Sequence, residues 1–83
     1  MTREEIRRRL LDLLGRIAPE ADLSALDAGR DLRQQLDIDS FGFLTLMVRV
    51  HEAFGVDVPE ADYRRLRSLD DAVAYLAGRS GVP

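Results

Sequence analysis

The sequence contains no cysteine, no tryptophan and no lysine, and a single histidine, His51. Without cysteine there is no disulfide, no zinc–thiolate site and no thiol nucleophile. One imidazole and no indole leave a narrow chemical repertoire. No apolar run approaches the roughly 20 residues that cross a bilayer, so membrane insertion is not expected. The opening stretch MTREEIRRRLLDLLGRI interleaves charges with its leucines and has no separate apolar block of the signal-peptide kind. These absences read as a cytoplasmic protein. Every basic residue is arginine, and the 12 arginines face 15 acidic residues for a net charge of −3. Arg3, Arg7, Arg8, Arg9 and Arg16 crowd the front, as in some nucleic-acid binders. Glu4, Glu5 and Asp12 share that stretch, however, and the rest of the chain is acidic. A nucleic-acid partner is therefore not expected.

What is present fits one helical domain over residues 1–83. A chain this short buries about 60–65% of its unfolded surface, and 46% hydrophobic with 33% charged residues is an ordinary globular balance. Thr2 with Glu5 is a capping-box pattern, and Ile6, Leu10, Leu13, Leu14 and Ile17 then recur at helical spacing up to Pro19. This predicts a first helix over about 3–17. Residues 18–39 hold Pro19, Gly29 and several aspartates with no sustained period. Leu23, Leu26, Leu32, Leu36 and Ile38 are expected to pin this long crossover to the core. A second helix is predicted from Ser40, as N-cap, to Phe54, stopped by Gly55. Its projection sets Phe43, Leu46, Met47, Val50 and Phe54 toward the core and Gly42, Thr45, Arg49, Glu52 and Ala53 on a polar face. Phe41 and Val48 fall at the margin between them. Residues 60–66 make a brief third helix, and Ser68 with Asp71 opens a fourth, which Gly78 ends. Residues 78–83 are expected to fray. No strand pattern competes. The fold class is all-α, a four-helix bundle with a long loop between helices one and two and a short third helix.

The stretch Leu36-Asp37-Ile38-Asp39-Ser40-Phe41 sets a serine at the start of a helix, after an aspartate. Capping alone accounts for the serine, but not for the crossover, the acidic run before it or the apolar margin after it. A serine nucleophile needs a general base within hydrogen-bond reach. His51 stands eleven positions along the same helix, about 16 Å away at helical rise. Asp39 is adjacent, but a carboxylate is a weak base for a serine hydroxyl. No catalytic residue is assigned. A calcium loop fails as well: Asp37, Asp39 and Gly42 match its first, third and sixth positions, but the twelfth is Val48 where a bidentate glutamate is required. No metal site is assigned.

Taken in order, L-x-x-D-S at 36–40, E-A-F-G at 52–55, V-x-V-P-E at 56–60 and S-L-x-D-A-V-A-Y-L at 68–76 resemble the acyl carrier protein family. The motifs cover about half the chain, and the helix order covers nearly all of it. The resemblance implies that Ser40 receives a 4′-phosphopantetheine arm, taken from coenzyme A by a separate phosphopantetheinyl transferase, and that the arm's thiol carries acyl groups as thioesters. A helix N-terminus, with its free N–H groups and positive dipole end, suits the phosphodiester. The resemblance further implies acyl-loading and acyl-processing enzymes as partners, reading Asp39, Phe41, Thr45 and Val48 beside the serine. It implies an acyl chain entering a core lined by Phe43, Leu46 and Val50, and a monomeric carrier that is not itself an enzyme. His51, within the apolar arc, is expected to be a partly buried packing residue, and Tyr63 and Tyr75 to be core.

Three departures from the family pattern bear on function. Phe41 follows the serine where leucine is usual. The outer face of the second helix, normally acidic, here presents Gly42, Thr45 and Arg49 with Glu52 nearly alone, and the first helix is rich in arginine. Basic enzymes of primary fatty acid synthesis read that acidic face, so steering by charge is expected to be weak. The favoured reading is a freestanding carrier for a specialised lipid or secondary-metabolite pathway. Its alternatives are the housekeeping carrier of fatty acid synthesis and a helical interaction module that carries no arm. An aminoacyl carrier fits less well, because Ile38-Asp39 stands where such domains more often have Gly-His.

Overall fold

The computed structural model describes residues 1–79. Helix α1 spans Arg3–Ile17. The Thr2 hydroxyl accepts the Glu5 N–H, and the Glu5 carboxylate accepts from the Thr2 backbone, so the predicted capping box forms in both directions. Its apolar stripe, Ile6, Leu10, Leu13 and Leu14, is buried and packs on the two other long helices.

The crossover is ordered by its own short turns. A 3₁₀ turn, Leu23–Ala25, is capped by Asp22, and a single helical turn, α2 at Leu32–Gln35, is capped by Asp31. Gln35 ties the loop across itself: its Oε1 accepts the Asp27 N–H at 2.8 Å, and its Nε2 donates to the Asp27 carbonyl at 2.8 Å. Two backbone bonds then fasten the crossover to the start of the last helix, from Leu32 N–H to the Arg67 carbonyl at 2.6 Å and from Asp70 N–H to the Ala28 carbonyl at 2.9 Å. Leu32 and Ile38 are buried, and Leu23, Leu26 and Leu36 pack against the core. Fully burying one such side chain contributes about 1.5–3 kcal/mol. This is the pinning that the leucine spacing predicts.

Helix α3 spans Ser40–Phe54 and ends at Gly55, whose φ of 66° is the left-handed conformation of a helix stop. Phe43, Leu46, Met47 and Val50 are buried as expected, while Phe54 is only partly so. The start of the helix corrects the sequence reading. Asp39 is the N-cap, its Oδ1 accepting the Gly42 N–H at 2.7 Å, and Ser40 is the first residue inside. Aspartate caps as well as serine does, and here the cap lies one residue earlier, which leaves the serine hydroxyl free.

The short third helix is a 3₁₀ segment, Glu60–Leu66. Helix α4, Leu69–Ala77, follows its Ser68 cap and stops at Gly78. Tyr75 is buried and donates its hydroxyl to Asp62 at 2.6 Å, joining α4 to the 3₁₀ segment. Of the tail expected to fray, Gly78 and Arg79 still bond back onto α4, Arg79 lies 3.8 Å over the Tyr75 ring, and residues 80–83 lie outside the described residues. The chain is thus all-helical among the described residues, its four principal segments wrapped around one apolar core and its long crossover leading straight into Ser40.

Candidate functional site: the N-terminus of helix α3

Ser40 is exposed at the first turn of α3. The tight approach from the crossover is set by two backbone features. Asp37 adopts φ 53°, a left-handed conformation that aspartate tolerates better than most residues. Gly42 lies so close beneath Ile38 that a Cβ there would sit 2.7 Å from Ile38 Cγ2. Together they turn the chain through a short reversal between α2 and α3. Asp39 occupies the Gly42 amide, so the N–H groups of Ser40 and Phe41 remain without a helical acceptor.

Arg33, from α2, reaches this turn. Its Nε donates to the Ile38 carbonyl at 3.3 Å and one terminal nitrogen to Ser40 Oγ at 3.4 Å, while the guanidinium lies 5.9 Å from the Phe43 ring centre. Phe43 in turn meets Tyr63 edge to face at 6.0 Å. Ser40 opens onto a cleft of about 500 Å³ between α3 and the 3₁₀ segment, lined by Arg33, Phe43, Leu44, Glu60, Ala61, Tyr63, Arg64 and Arg67. Three guanidinium groups there face one carboxylate, although Asp31 lies 3.9 Å from Arg67. An anionic substituent on Oγ fits this setting: two free amides, a positive helix end and an arginine beside the oxygen.

The hydroxyl has no base at hand among the described residues. His51 is exposed, contrary to the packing role expected of it, and its Nδ1 lies 3.2 Å from the Val56 carbonyl at the far end of α3. Its position at the edge of the apolar arc turns the ring onto the chain leaving the helix instead of into the core. Tyr63 is partly buried against the core, and Tyr75 is fully buried.

Around Ser40 the exposed surface of α3 is apolar. Phe41 is 81% exposed, Val48 50% and Leu44 46%. Leu44 was legible and is absent from the sequence reading: it stands three residues after Phe41 and four before Val48, so the projection that places those two at the margin places it there too. Thr45 flanks Phe41 on the α1 side, its hydroxyl donating to the Phe41 carbonyl at 2.9 Å. With Gly42, Arg49, Glu52 and Ala53 it borders a groove completed by Leu13, Arg16 and Ile17 of α1, so the polar face is a shared furrow between two helices. Arg33 could not be singled out from sequence, because only the turns of α2 and Asp37 bring a residue seven positions upstream onto the serine.

The core beneath is nearly closed. Leu46 and Val50 line a wholly apolar void of about 10 Å³ with Leu10, Leu14, Met47 and others, at the limit of what holds one water. Phe43 borders the outer cleft and belongs to the core cluster, so it stands between the two spaces.

Comparison with known proteins accords with this arrangement. Residues 4–76 match the family model described as the phosphopantetheine attachment site. The acyl carrier protein of Renibacterium salmoninarum is 36% identical over 61 residues, covering 74% of this chain and 70% of that protein. The acyl carrier protein of Kineococcus radiotolerans is 39% identical over 54 residues, 65% of this chain and 67% of its own length. That of Acidothermus cellulolyticus is 30% identical over 79 residues, 93% of this chain and 90% of its own. The chain belongs to the acyl carrier protein family, whose domain carries 4′-phosphopantetheine.

Proposed function

We propose that Ser40 is the attachment point and that this chain is a freestanding carrier for a dedicated lipid or secondary-metabolite pathway. The observation that carries the attachment is the exposed hydroxyl at the first turn of α3, free of capping duty and flanked by Arg33. With no base beside it, the hydroxyl depends on a separate phosphopantetheinyl transferase. In that step Oγ attacks the phosphorus of coenzyme A that bears the pantetheine, the pyrophosphate P–O bond breaks, 3′,5′-ADP leaves and the serine proton passes to a base of the transferase. Once bound, the arm supplies the thiol on which an acyl group rides as a thioester, chemistry that a chain without cysteine lacks. The chain's own part is to present the oxygen, accept the phosphate charge at a positive helix end and offer partners a surface. Cytoplasmic residence and a monomeric state go with this reading. Among the described residues no helix is long and apolar enough to cross a membrane.

The dedicated-pathway reading rests on the outer face of α3. Its single acid, Glu52, is neutralised by Arg49 at 2.8 Å, and Phe41, Leu44 and Val48 dominate the rest. Partners that dock here meet apolar surface with little charge to steer them. Asp39, Phe41, Thr45 and Val48 are the residues we assign to that contact. Intact mass after incubation with coenzyme A, magnesium and a broad-specificity transferase tests the attachment. A gain of one phosphopantetheine in the native chain and none in Ser40→Ala is expected, and an equal gain in both would refute it. The holo form is then offered to fatty acid synthase enzymes, where slow loading is expected and efficient elongation would count against a dedicated pathway.

A further inference from the structure

We propose that Arg33 is the phosphate clamp of this chain, pairing with the phosphodiester on Ser40 and holding the root of the arm over the outer cleft. The inference rests on Ser40 as the attachment point.

Three observations converge on it. The guanidinium already lies at the site: Nε donates to the Ile38 carbonyl at 3.3 Å, its carbon sits over the Phe43 ring 5.9 Å from the centroid, and one terminal nitrogen reaches Ser40 Oγ at 3.4 Å. A phosphodiester on that oxygen would place its single negative charge, shared by two non-bridging oxygens, beside the same guanidinium. Second, Arg33 has no ion-pair partner among the described residues. The ion pairs among the described residues are Arg16 with Asp12, Arg49 with Glu52 and Arg67 with Asp31, and none of them uses Arg33. A half-buried guanidinium with no carboxylate beside it has charge to give to an incoming anion. Third, the cleft beside Ser40 is basic, lined by Arg33, Arg64 and Arg67 with Glu60 as its one lining carboxylate, although Asp31 lies 3.9 Å from Arg67. An arm held there would have Phe43 and Tyr63 as apolar lining, apart from the core void.

The geometry makes Arg33 a positioning residue. It touches the carrier oxygen and its phosphate and no reacting centre. An arm rooted by an ion pair also stabilises the fold that provides the pair, by linkage. The stability difference between holo and apo forms of one variant therefore reads the clamp directly, and any effect of a substitution on the apo fold cancels.

The experiment compares urea unfolding of apo and holo forms of the native chain, Arg33→Gln, Arg33→Lys and, as a charge control on α1, Arg8→Gln, at about 20 mM and about 1 M sodium chloride. The ³¹P resonance of each holo form is recorded alongside. In the native chain and in Arg8→Gln, attachment is expected to raise the folding equilibrium constant roughly fivefold at low salt, and most of that gain should vanish at high salt. Arg33→Gln loses the gain and shifts the ³¹P resonance, and Arg33→Lys, which keeps the charge, recovers a large part of it. A holo-to-apo ratio in Arg33→Gln equal to that of the native chain, or a native ratio of one, overturns the clamp. Intact mass separates the two ideas: an arm that does not go onto Ser40 overturns the attachment and the clamp together, whereas an arm in place with equal ratios overturns the clamp alone.

Discussion

Gly42→Ala is expected to destabilise the fold although it improves the helix. Alanine exceeds glycine in helix propensity by about 1 kcal/mol, so in an open site the change would stabilise α3. Here the new Cβ meets Ile38 Cγ2 at 2.7 Å, closer than real carbon contacts come, and Asp39 Oδ1 at 3.4 Å. Ile38 is 8% exposed and branched at Cβ, so it has no flexible end to swing aside. Overpacking of this kind costs about 1–3 kcal/mol. The cap shares the strain, because Asp39 Oδ1 holds the Gly42 N–H at 2.7 Å, and weakening a cap costs up to about 1 kcal/mol more. Set against the propensity gain, these contributions leave a net loss of up to about 3 kcal/mol, centred on about 1.5 kcal/mol, which at the centre is a fall in melting temperature of roughly 6–12 °C for a domain of this size.

Gly15→Ala is the matched control. It lies inside α1, its Cβ meets only the end of the Leu23 side chain at 3.4 Å, and it should be neutral or stabilising by up to about 1 kcal/mol. Thermal and urea unfolding of both variants, with Ile38→Ala alone and in the Gly42→Ala background, complete a double-mutant cycle. A favourable coupling of at least about 1 kcal/mol is expected between the two sites. The transferase reaction should also slow in Gly42→Ala, since whatever moves Asp39 moves Ser40. A Gly42→Ala protein stabilised as much as Gly15→Ala, with no coupling to Ile38, would refute the reasoning.

Because Asp39 and not Ser40 caps α3, Ser40→Ala should leave stability within about 0.5 kcal/mol of the native chain while abolishing modification. Asp39→Ala should cost about 1 kcal/mol, as urea midpoints will measure. Tyr75→Phe removes the bond to Asp62 and should cost about 1 kcal/mol. The same tyrosine sets an alkaline limit. Burial first, and then the Asp62 carboxylate, raise its pKa above the ordinary 10.0. The protonated phenol therefore stabilises the fold fully below about pH 10, and that contribution is lost as pH climbs through the folded value, because the unfolded chain releases its proton first. Urea midpoints followed from pH 8 upward should fall more steeply for the native chain than for Tyr75→Phe, and parallel curves would exclude the linkage.

The parts of this molecule that the sequence made legible are those governed by short-range rules. The α1 limits, its capping box and its buried stripe follow from the Thr2–Glu5 pair and the 3.6-residue period, and the ends of α3 and α4 follow from Gly55 and Gly78. The error at the cap of α3 arose where two good capping residues stand side by side, so that propensity alone could not rank them. The structure ranks them by backbone: with Ile38 buried, Asp39 stands in the extended conformation of a cap, φ −81° and ψ −176°, and Ser40 is already helical. Residues that depend on the crossover were out of reach for the same kind of reason. Arg33 meets Ser40 only after the Asp31 cap, the single turn of α2 and the left-handed Asp37 have each bent the chain, and no periodicity encodes that sum. The consequence is functional. For the attachment proposed at Ser40, Asp39 takes over the cap and leaves that hydroxyl exposed, and the charge beside it comes from an arginine that the motif does not contain.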